Sequence, residues 1–105
     1  MSCTWCGAPV ATGEGFRALE PAGARIATFC RLEHIVPWAI RGAFWEPAAD
    51  ELAMPAEITT CAHCDAPLGE APVLLVRERG EARVRDGFCS VAHLLEWAKA
   101  GGRYR

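Results

Sequence analysis

The stretch that decides the fold is residues 88–97, Phe-Cys-Ser-Val-Ala-His-Leu-Leu-Glu-Trp, and residues 29–38, Phe-Cys-Arg-Leu-Glu-His-Ile-Val-Pro-Trp, are an earlier copy of it. In both copies a histidine follows the cysteine by four residues, and a tryptophan follows the histidine by four. In a helix these positions lie one turn apart on one face. The cysteine and the histidine then form half of a tetrahedral metal site.

Each copy is preceded by a Cys-x-x-Cys pair, at residues 3–6 and 61–64. The two complete sets recur at offsets of 58 and 59 residues, and together they use all six cysteines. Three thiolates and one imidazole suit zinc, so we expect two Zn²⁺ ions per chain. The alternatives are an iron–sulfur cluster with one histidine ligand, and cysteines that are simply buried or redox-active. The predicted zinc ligands are Cys3, Cys6, Cys30 and His34 in site one and Cys61, Cys64, Cys89 and His93 in site two.

The length of 105 residues allows one ordinary domain or two very small ones, and the repeat favours two. A unit of about fifty residues is marginal with a hydrophobic core alone, so metal should contribute on the order of 10 kcal/mol per site to folding. We expect no signal peptide, since the first methionine leads straight into a ligand pair, and no apolar run reaches the roughly 20 residues of a membrane span. These features favour a reducing, cytoplasmic setting, where paired cysteines bind metal.

The charge of the chain argues against general nucleic-acid binding. The formal net charge is −2, and six bound thiolates with two Zn²⁺ ions would bring it to about −4. A nucleic-acid binder needs a basic surface that displaces counterions from phosphates. Any such contact would therefore be confined to a local patch.

Both repeats are predicted to follow the order knuckle turn, β-hairpin and helix. The turn after the second cysteine often needs a positive φ, which Gly7 adopts freely and Asp65 tolerates. Hairpins are expected over residues 15–29 and 73–85, each with a glycine in its turn.

The two helices are expected to differ. The second should run from about Ser90, a candidate N-cap, to Ala100, where two glycines stop it. In the first helix Pro37 should remove a hydrogen bond, so we expect a kink or a break before Trp38. Gly42 should end the first helix.

The domain division that follows is a first finger at residues 1–42, an acidic Ala/Pro-rich linker at 43–60 and a second finger at 61–105. The linker is partly apolar and is not a flexible Gly/Ser tether, so the fingers should pack as a compact pseudo-symmetric pair. The predicted fold class is a small, zinc-stabilised α+β protein.

This order of elements resembles the treble-clef zinc finger, and residues 87–90, Gly-Phe-Cys-Ser, resemble the Phe-Cys-Ser motif of its TRASH and MYM-type branch. The resemblance covers both repeats. That branch usually ends in a fourth cysteine, where this chain has His34 and His93, and Arg31 replaces the serine of the motif in the first repeat. The resemblance implies a treble-clef fold around structural zinc. Members of the branch include protein-interaction adaptors, ribosomal RNA-binding proteins and predicted metal sensors or handlers.

The predicted ligand sets argue against an enzyme, because four protein ligands leave no open position for a catalytic water. His63 is the histidine outside these sets. It lies inside the second knuckle, where we expect an exposed turn residue that points away from the metal; a spare ligand or proton donor is the alternative. Trp5 has the same position in the first repeat.

The function that we expect is that of a protein-interaction adaptor or regulatory module built on structural zinc. Trp5, Phe44 and Trp45 are candidates for an exposed patch that contacts another protein, of unknown identity. The alternative is that they bury the interface between the repeats. Trp38 and Trp97 should pack beside the metal sites.

Nucleic-acid binding through the second hairpin is a second hypothesis. Its arginines alternate along two strands, so their side chains could share a face that residues 103–105, Arg-Tyr-Arg, extend. Interspersed acidic residues instead favour an ordinary solvated face. Zinc sensing or handling is a third hypothesis, which predicts one site of weaker affinity and gains no support from near-identical ligand sets. The candidate nucleic-acid contacts are Arg77, Arg79, Arg83 and Arg85.

Overall fold

A computed structural model describes residues 2–11, 13–48, 55–80 and 82–101. Within these ranges the chain forms one antiparallel sheet of five strands and two α-helices. The strands are β1 (Glu14–Glu20), β2 (Arg25–Phe29), β3 (Glu46–Pro47), β4 (Val73–Arg79) and β5 (Ala82–Phe88), and the helices are α1 (Ile35–Ile40) and α2 (Val91–Lys99). Both predicted hairpins are therefore present, β1–β2 and β4–β5.

The sheet is continuous across both repeats, in the strand order β3-β2-β1-β4-β5. Its central pair, β1 and β4, places Arg17 opposite Val76 and Ala18 opposite Leu75. The repeats are thus joined by a backbone ladder as well as by side chains. The domain limits at residues 42 and 61 stay a sequence prediction.

The main core lies between this sheet and the helices, and α1 packs against α2. Hairpins and helices of both repeats contribute to this single cluster, so neither repeat encloses a core of its own. Its most deeply buried members include Ala18, Phe29, Ile35, Trp38, Val73, Leu75, Phe88 and Leu94.

The opposite face of the sheet also packs against protein near the second repeat. Leu74 and Val76 are buried on this face. A Cβ atom at Gly87 would lie 2.6 Å from Cγ2 of Ile58 and 3.1 Å from Cδ1 of Leu68. Gly87 is therefore needed for these two side chains to approach β5, because a closely packed interior has no room for a further carbon.

The second helix begins as predicted. The hydroxyl of Ser90 accepts a hydrogen bond from the backbone N–H of His93 at 3.4 Å, and α2 runs from Val91 to Lys99. Ser90 has extended backbone angles, which are typical of an N-cap. This cap fixes the backbone of a predicted metal ligand.

The first helix begins differently. Residues Leu32–His34 form a 3-10 turn, and α1 starts at Ile35. Pro37 is therefore the third residue of the α-helix, where the missing N–H costs no helical hydrogen bond. The expected break before Trp38 is wrong, since α1 continues unbroken to Ile40.

The end of α1 agrees with the sequence. Gly42 has a φ of 111°. The N–H of Ala43 donates to the carbonyl of Trp38 at 2.9 Å and closes the last turn. In the part of the chain that the structure describes, no helix has the length and apolar character needed to cross a membrane.

Candidate metal centres

Matching turns hold the first two cysteines of each cluster. The N–H of Gly7 donates to the carbonyl of Cys3 at 2.9 Å, and the N–H of Asp65 donates to the carbonyl of Cys61 at 2.9 Å. Gly7 and Asp65 have φ angles of 78° and 63°. This confirms the predicted positive φ at both positions.

Each turn is tied to the hairpin that leads to the third ligand. The N–H of Thr4 donates to the carbonyl of Thr28 at 2.6 Å, and the N–H of Ala62 donates to the carbonyl of Gly87 at 2.8 Å. The next cysteine lies two residues beyond the accepting carbonyl in each case. The cysteine pair is thereby held beside the start of the helix.

The four predicted ligands of site one come together. The Sγ atoms of Cys6 and Cys30 are 3.6 Å apart. Nδ1 of His34 lies 3.3 Å from Sγ of Cys30 and 3.6 Å from Sγ of Cys3. All four ligand atoms lie within 4.8 Å of one another.

Site two repeats this geometry. The Sγ atoms of Cys64 and Cys89 are 3.7 Å apart, and Nδ1 of His93 lies 3.6 Å from Sγ of Cys61. Its four ligand atoms also lie within 4.8 Å of one another. In both clusters the first cysteine is buried, the second is exposed, and the third cysteine and the histidine are half-buried.

These separations suit a tetrahedral ion. With Zn–S bonds of about 2.3 Å and Zn–N bonds of about 2.05 Å, tetrahedral ligand atoms lie about 3.8 Å apart for two sulfurs and about 3.6 Å apart for sulfur and nitrogen. A disulfide would bring two sulfurs to about 2.05 Å, and all six cysteines are free. Each cluster can therefore hold a metal ion, and its donor set is one that zinc prefers.

The thiols within each cluster differ in acidity. Burial would raise the pKa of Cys3, but hydrogen bonds from the backbone of Cys6 and Cys30 and from the ring of His34 outweigh it and lower the pKa to about 6. Burial raises the pKa of Cys30, and the hydrogen bonds and negative charges of Cys6 and Cys3 raise it further, to about 11. The turn thus favours one thiolate, and a metal ion would displace the proton that another thiol retains.

Site two shows the same division. Burial would raise the pKa of Cys61, but hydrogen bonds from the backbone of Cys64, Cys89 and His63 and from the His93 ring lower it to about 6. Burial raises the pKa of Cys89, and hydrogen bonds and charge repulsion from Cys64 and Cys61 raise it further, to about 11. The two clusters therefore share their electrostatics as well as their geometry.

Each α-helix carries a tryptophan that packs against the phenylalanine at the end of the preceding strand. Trp38 contacts Phe29 and Trp97 contacts Phe88, both with ring centroids 5.1 Å apart and near edge-to-face. These phenylalanines immediately precede the third ligands, so both tryptophans pack close to the clusters. Trp38 is fully buried, whereas Trp97 is half-buried.

The three aromatic residues predicted to contact a partner occupy different environments. Trp45 packs on Trp38 with centroids 5.0 Å apart and lies under the guanidinium of Arg25, 5.4 Å from its centroid. Phe44 is 48% exposed and lies 6.4 Å from the half-buried Trp5. Phe44 is therefore accessible, whereas Trp5 and Trp45 are each partly exposed and pack against the shared core.

The four arginines of the second hairpin do not share a face. Arg79 pairs with Ala82 and Arg77 pairs with Val84, so the arginines of β4 lie opposite uncharged residues. Directly paired residues point to the same side of a sheet. Arg83 and Arg85 consequently lie on the other side, and the expectation of a shared basic face is wrong. The physical reason is the register of this hairpin, which pairs odd-numbered residues of β4 with even-numbered residues of β5.

His63 is exposed, as expected for a turn residue. Its ring does not point away from site two, however, because its centroid lies 5.2 Å from that of His93. The sequence carried no signal for this contact beyond the position of His63 within the Cys-x-x-Cys pair. The predicted extension of the basic hairpin by residues 103–105 lies outside the described residues.

Comparison with protein-family models, with curated proteins and with solved structures finds no match to this chain. Its class therefore rests on its own geometry. The fold and the two Cys₃His clusters define a small α+β protein with two possible structural metal sites.

Proposed function

We propose that this protein is a non-enzymatic, two-zinc interaction module that binds another protein. The zinc part is supported by the two four-ligand clusters, whose ligand separations suit closed tetrahedral sites. A closed site leaves no position for a catalytic water, which argues for a structural role and against an enzyme.

We further assign both repeats to the treble-clef type and interpret them as a pseudo-symmetric pair. Each has a knuckle turn, a hairpin and a helical segment with the histidine ligand, which lies in the 3-10 turn before α1 in the first repeat and within α2 in the second. Phe29 pairs with Phe16 in the first hairpin. The equivalent Phe88 pairs with Val73 in the second hairpin. Two residues further along these strands, Ala18 is therefore the counterpart of Leu75. These two residues face each other in the ladder between β1 and β4, which is where a local two-fold axis would pass.

The proposed interaction role is supported by an exposed apolar surface at the C-terminal end of α1. Among the described residues, the exposed large hydrophobic side chains are Ile40, at 65%, and Phe44, at 48%. Trp5 borders Phe44, and tryptophan is enriched among the residues that contribute most of the binding energy in protein interfaces. We place the partner-binding surface at Phe44 and Trp5.

The test compares capture of cellular proteins by the zinc-loaded chain and by its Phe44→Ala and Trp5→Ala variants. We expect specific partners to be lost with Phe44→Ala, while the zinc content stays at two ions per chain. Arg79→Ala, in an exposed position on β4, is the matched control and should retain them. Equal capture by Phe44→Ala, Trp5→Ala and the parent chain would refute this surface.

Nucleic-acid binding lacks a comparable observation, since the hairpin arginines lie on two faces. The same preparations, titrated with RNA and DNA at low and high salt, test it. Salt-sensitive binding that is lost on Arg83→Ala or Arg77→Ala would favour that function instead.

A further inference from the structure

The two clusters have the same ligands but different neighbours at one position. The third residue of each Cys-x-x-Cys pair is Trp5 in site one and His63 in site two. Trp5 lies beside Phe44, at a centroid separation of 6.4 Å. His63 lies beside a ligand of site two, with its ring 5.2 Å from that of His93.

These two side chains differ in what they can offer a metal ion. An indole has an N–H donor and no free lone pair on nitrogen, whereas a neutral imidazole is a common zinc ligand. His63 is exposed and stands on a turn, so its ring can move without disturbing the core. Site two thus has a fifth potential donor beside its fourth ligand, and the corresponding position of site one has none.

A fifth donor offers zinc a path for exchange. Zinc has no geometric preference from its d electrons, and it can expand from four to five ligands. A ligand that binds before another leaves avoids an ion with three ligands. In site two His63 would add an imidazole beside His93, so that one imidazole could leave the ion while four ligands remain and the charge of the ligand set is unchanged.

The tryptophans beside the two sites also differ in their burial. Trp38, in the first repeat, is fully buried under Trp45. Trp97, its counterpart, is half-buried. The tryptophan beside site two is therefore closer to solvent than the tryptophan beside site one, while the ligands of the two sites are equally buried.

We propose that His63 is an auxiliary zinc ligand of site two, which makes site two an exchangeable zinc site and leaves site one as the permanent structural site. The molecule would then release or accept one zinc ion in exchange with a thiolate- or imidazole-bearing acceptor. This role requires zinc in both clusters, and it is independent of binding at Phe44.

The experiment measures zinc transfer from the full chain, loaded with two Zn²⁺ ions as counted by native mass spectrometry, to an excess of a chromogenic chelator in a stopped-flow instrument. We expect a fast and a slow phase. His63→Ala should slow the fast phase because it removes the added imidazole, and the expected size, on the order of tenfold, is that of the changes in metal affinity or activity produced by partners of a metal ligand set. Trp5→His, which installs the same donor at site one, should accelerate the slow phase by a similar factor.

Two further measurements distinguish binding of zinc by the His63 ring from simple shielding of site two by that ring. His63→Trp gives site two the residue of site one and should behave as His63→Ala. If His63→Trp slows transfer while His63→Ala leaves it unchanged or faster, the ring only shields the site and the proposal fails. In the Co²⁺-loaded chain, His63→Ala should raise the intensity of the visible d–d bands by removing a five-coordinate fraction; identical spectra together with identical transfer rates would overturn the proposal. Circular dichroism of each variant checks that the fold is retained.

Discussion

The first repeat encloses the tryptophan beside its cluster between two aromatic rings, and the second leaves the corresponding tryptophan partly open to solvent. Trp38 is enclosed between Phe29 and Trp45, with centroids 5.1 and 5.0 Å away. In the second repeat Trp97 keeps the contact with Phe88 but is half-buried. The ligand spacing is nearly identical in the two, so the duplicated Cys₃His cluster has kept its ligand geometry while the burial of the neighbouring tryptophan has diverged.

The repeats also start their helices in different ways around an equivalent histidine. Ser90 caps α2, whereas Arg31 at the corresponding position provides no side-chain cap and a 3-10 turn follows. The equivalent ligand separations are nevertheless the same, 3.6 Å from Cys3 Sγ to His34 Nδ1 and 3.6 Å from Cys61 Sγ to His93 Nδ1. The geometry of the candidate ligands is therefore compatible with either helix start.

What joins the unlike halves is the centre of the sheet. Ala18 and Leu75 face each other in the core, at 0% and 1% exposure. On the opposite face Arg17 forms an ion pair with Glu78 at 3.1 Å, with side chains 11% and 13% exposed. The contact between β1 and β4, which we call the seam, thus combines backbone pairing, apolar packing and a largely buried ion pair. It should make the two halves fold together.

The largest expected effect tests that cooperation. Cys30→Ser removes a ligand from site one, the permanent site. Loss of that site costs on the order of 10 kcal/mol, which is comparable with the whole stability of a small domain. Because sheet and core are shared, we expect this variant to lose both zinc ions and its ordered circular dichroism signal. If it keeps one zinc ion and about half of the signal, the halves fold independently.

The second effect concerns packing at the seam. Leu75→Ala removes a buried side chain opposite Ala18 and should lower the free energy of unfolding by about 2–5 kcal/mol. Thermal unfolding of the zinc-loaded chain measures this. Ile40→Ala, at a position 65% exposed, is the control and should change stability by about 0.5 kcal/mol or less. Equal losses of unfolding free energy in the two variants would mean that packing between β1 and β4 does not stabilise the fold.

The smallest effect compares the helix starts. Ser90→Ala should cost about 1 kcal/mol, because it removes the acceptor for the N–H of His93. Arg31→Ser places a capping residue on an equally extended backbone, with φ of −153° and ψ of 157°. We expect it to raise stability by a few tenths of a kcal/mol. Denaturant titration of both variants measures these changes in the free energy of unfolding. A loss of stability in Arg31→Ser would show that the 3-10 turn is required.

The sequence predicted the local parts of this structure well. The eight ligands, the positive φ of Gly7 and Asp65, both hairpins and the Ser90 cap all follow from short spacings and backbone preferences, and the structure contains each of them. The prediction for Pro37 failed because it assumed an α-helix from Cys30 onward. Once the 3-10 turn shifts the start of α1, the proline falls into the first turn, where it is tolerated.

Other features could not be read from spacing. The arginine pattern of the second hairpin is compatible with either register, and the register decides whether four side chains share a face. The contact between His63 and His93 joins residues 30 positions apart in the chain, so it depends on where the knuckle meets the helix.

By itself, the sequence determined which residues form the two Cys₃His clusters, because a Cys-x-x-Cys turn and a Cys-x-x-x-His helix start are set by the local geometry of a few residues. The tertiary structure alone decided that both repeats share one sheet and one core, that Phe44 is accessible while Trp45 is packed, and that an imidazole adjoins one cluster and an indole the other. These outcomes depend on pairing between β1 and β4 and on contacts between distant side chains, which are set by the packing of the whole chain.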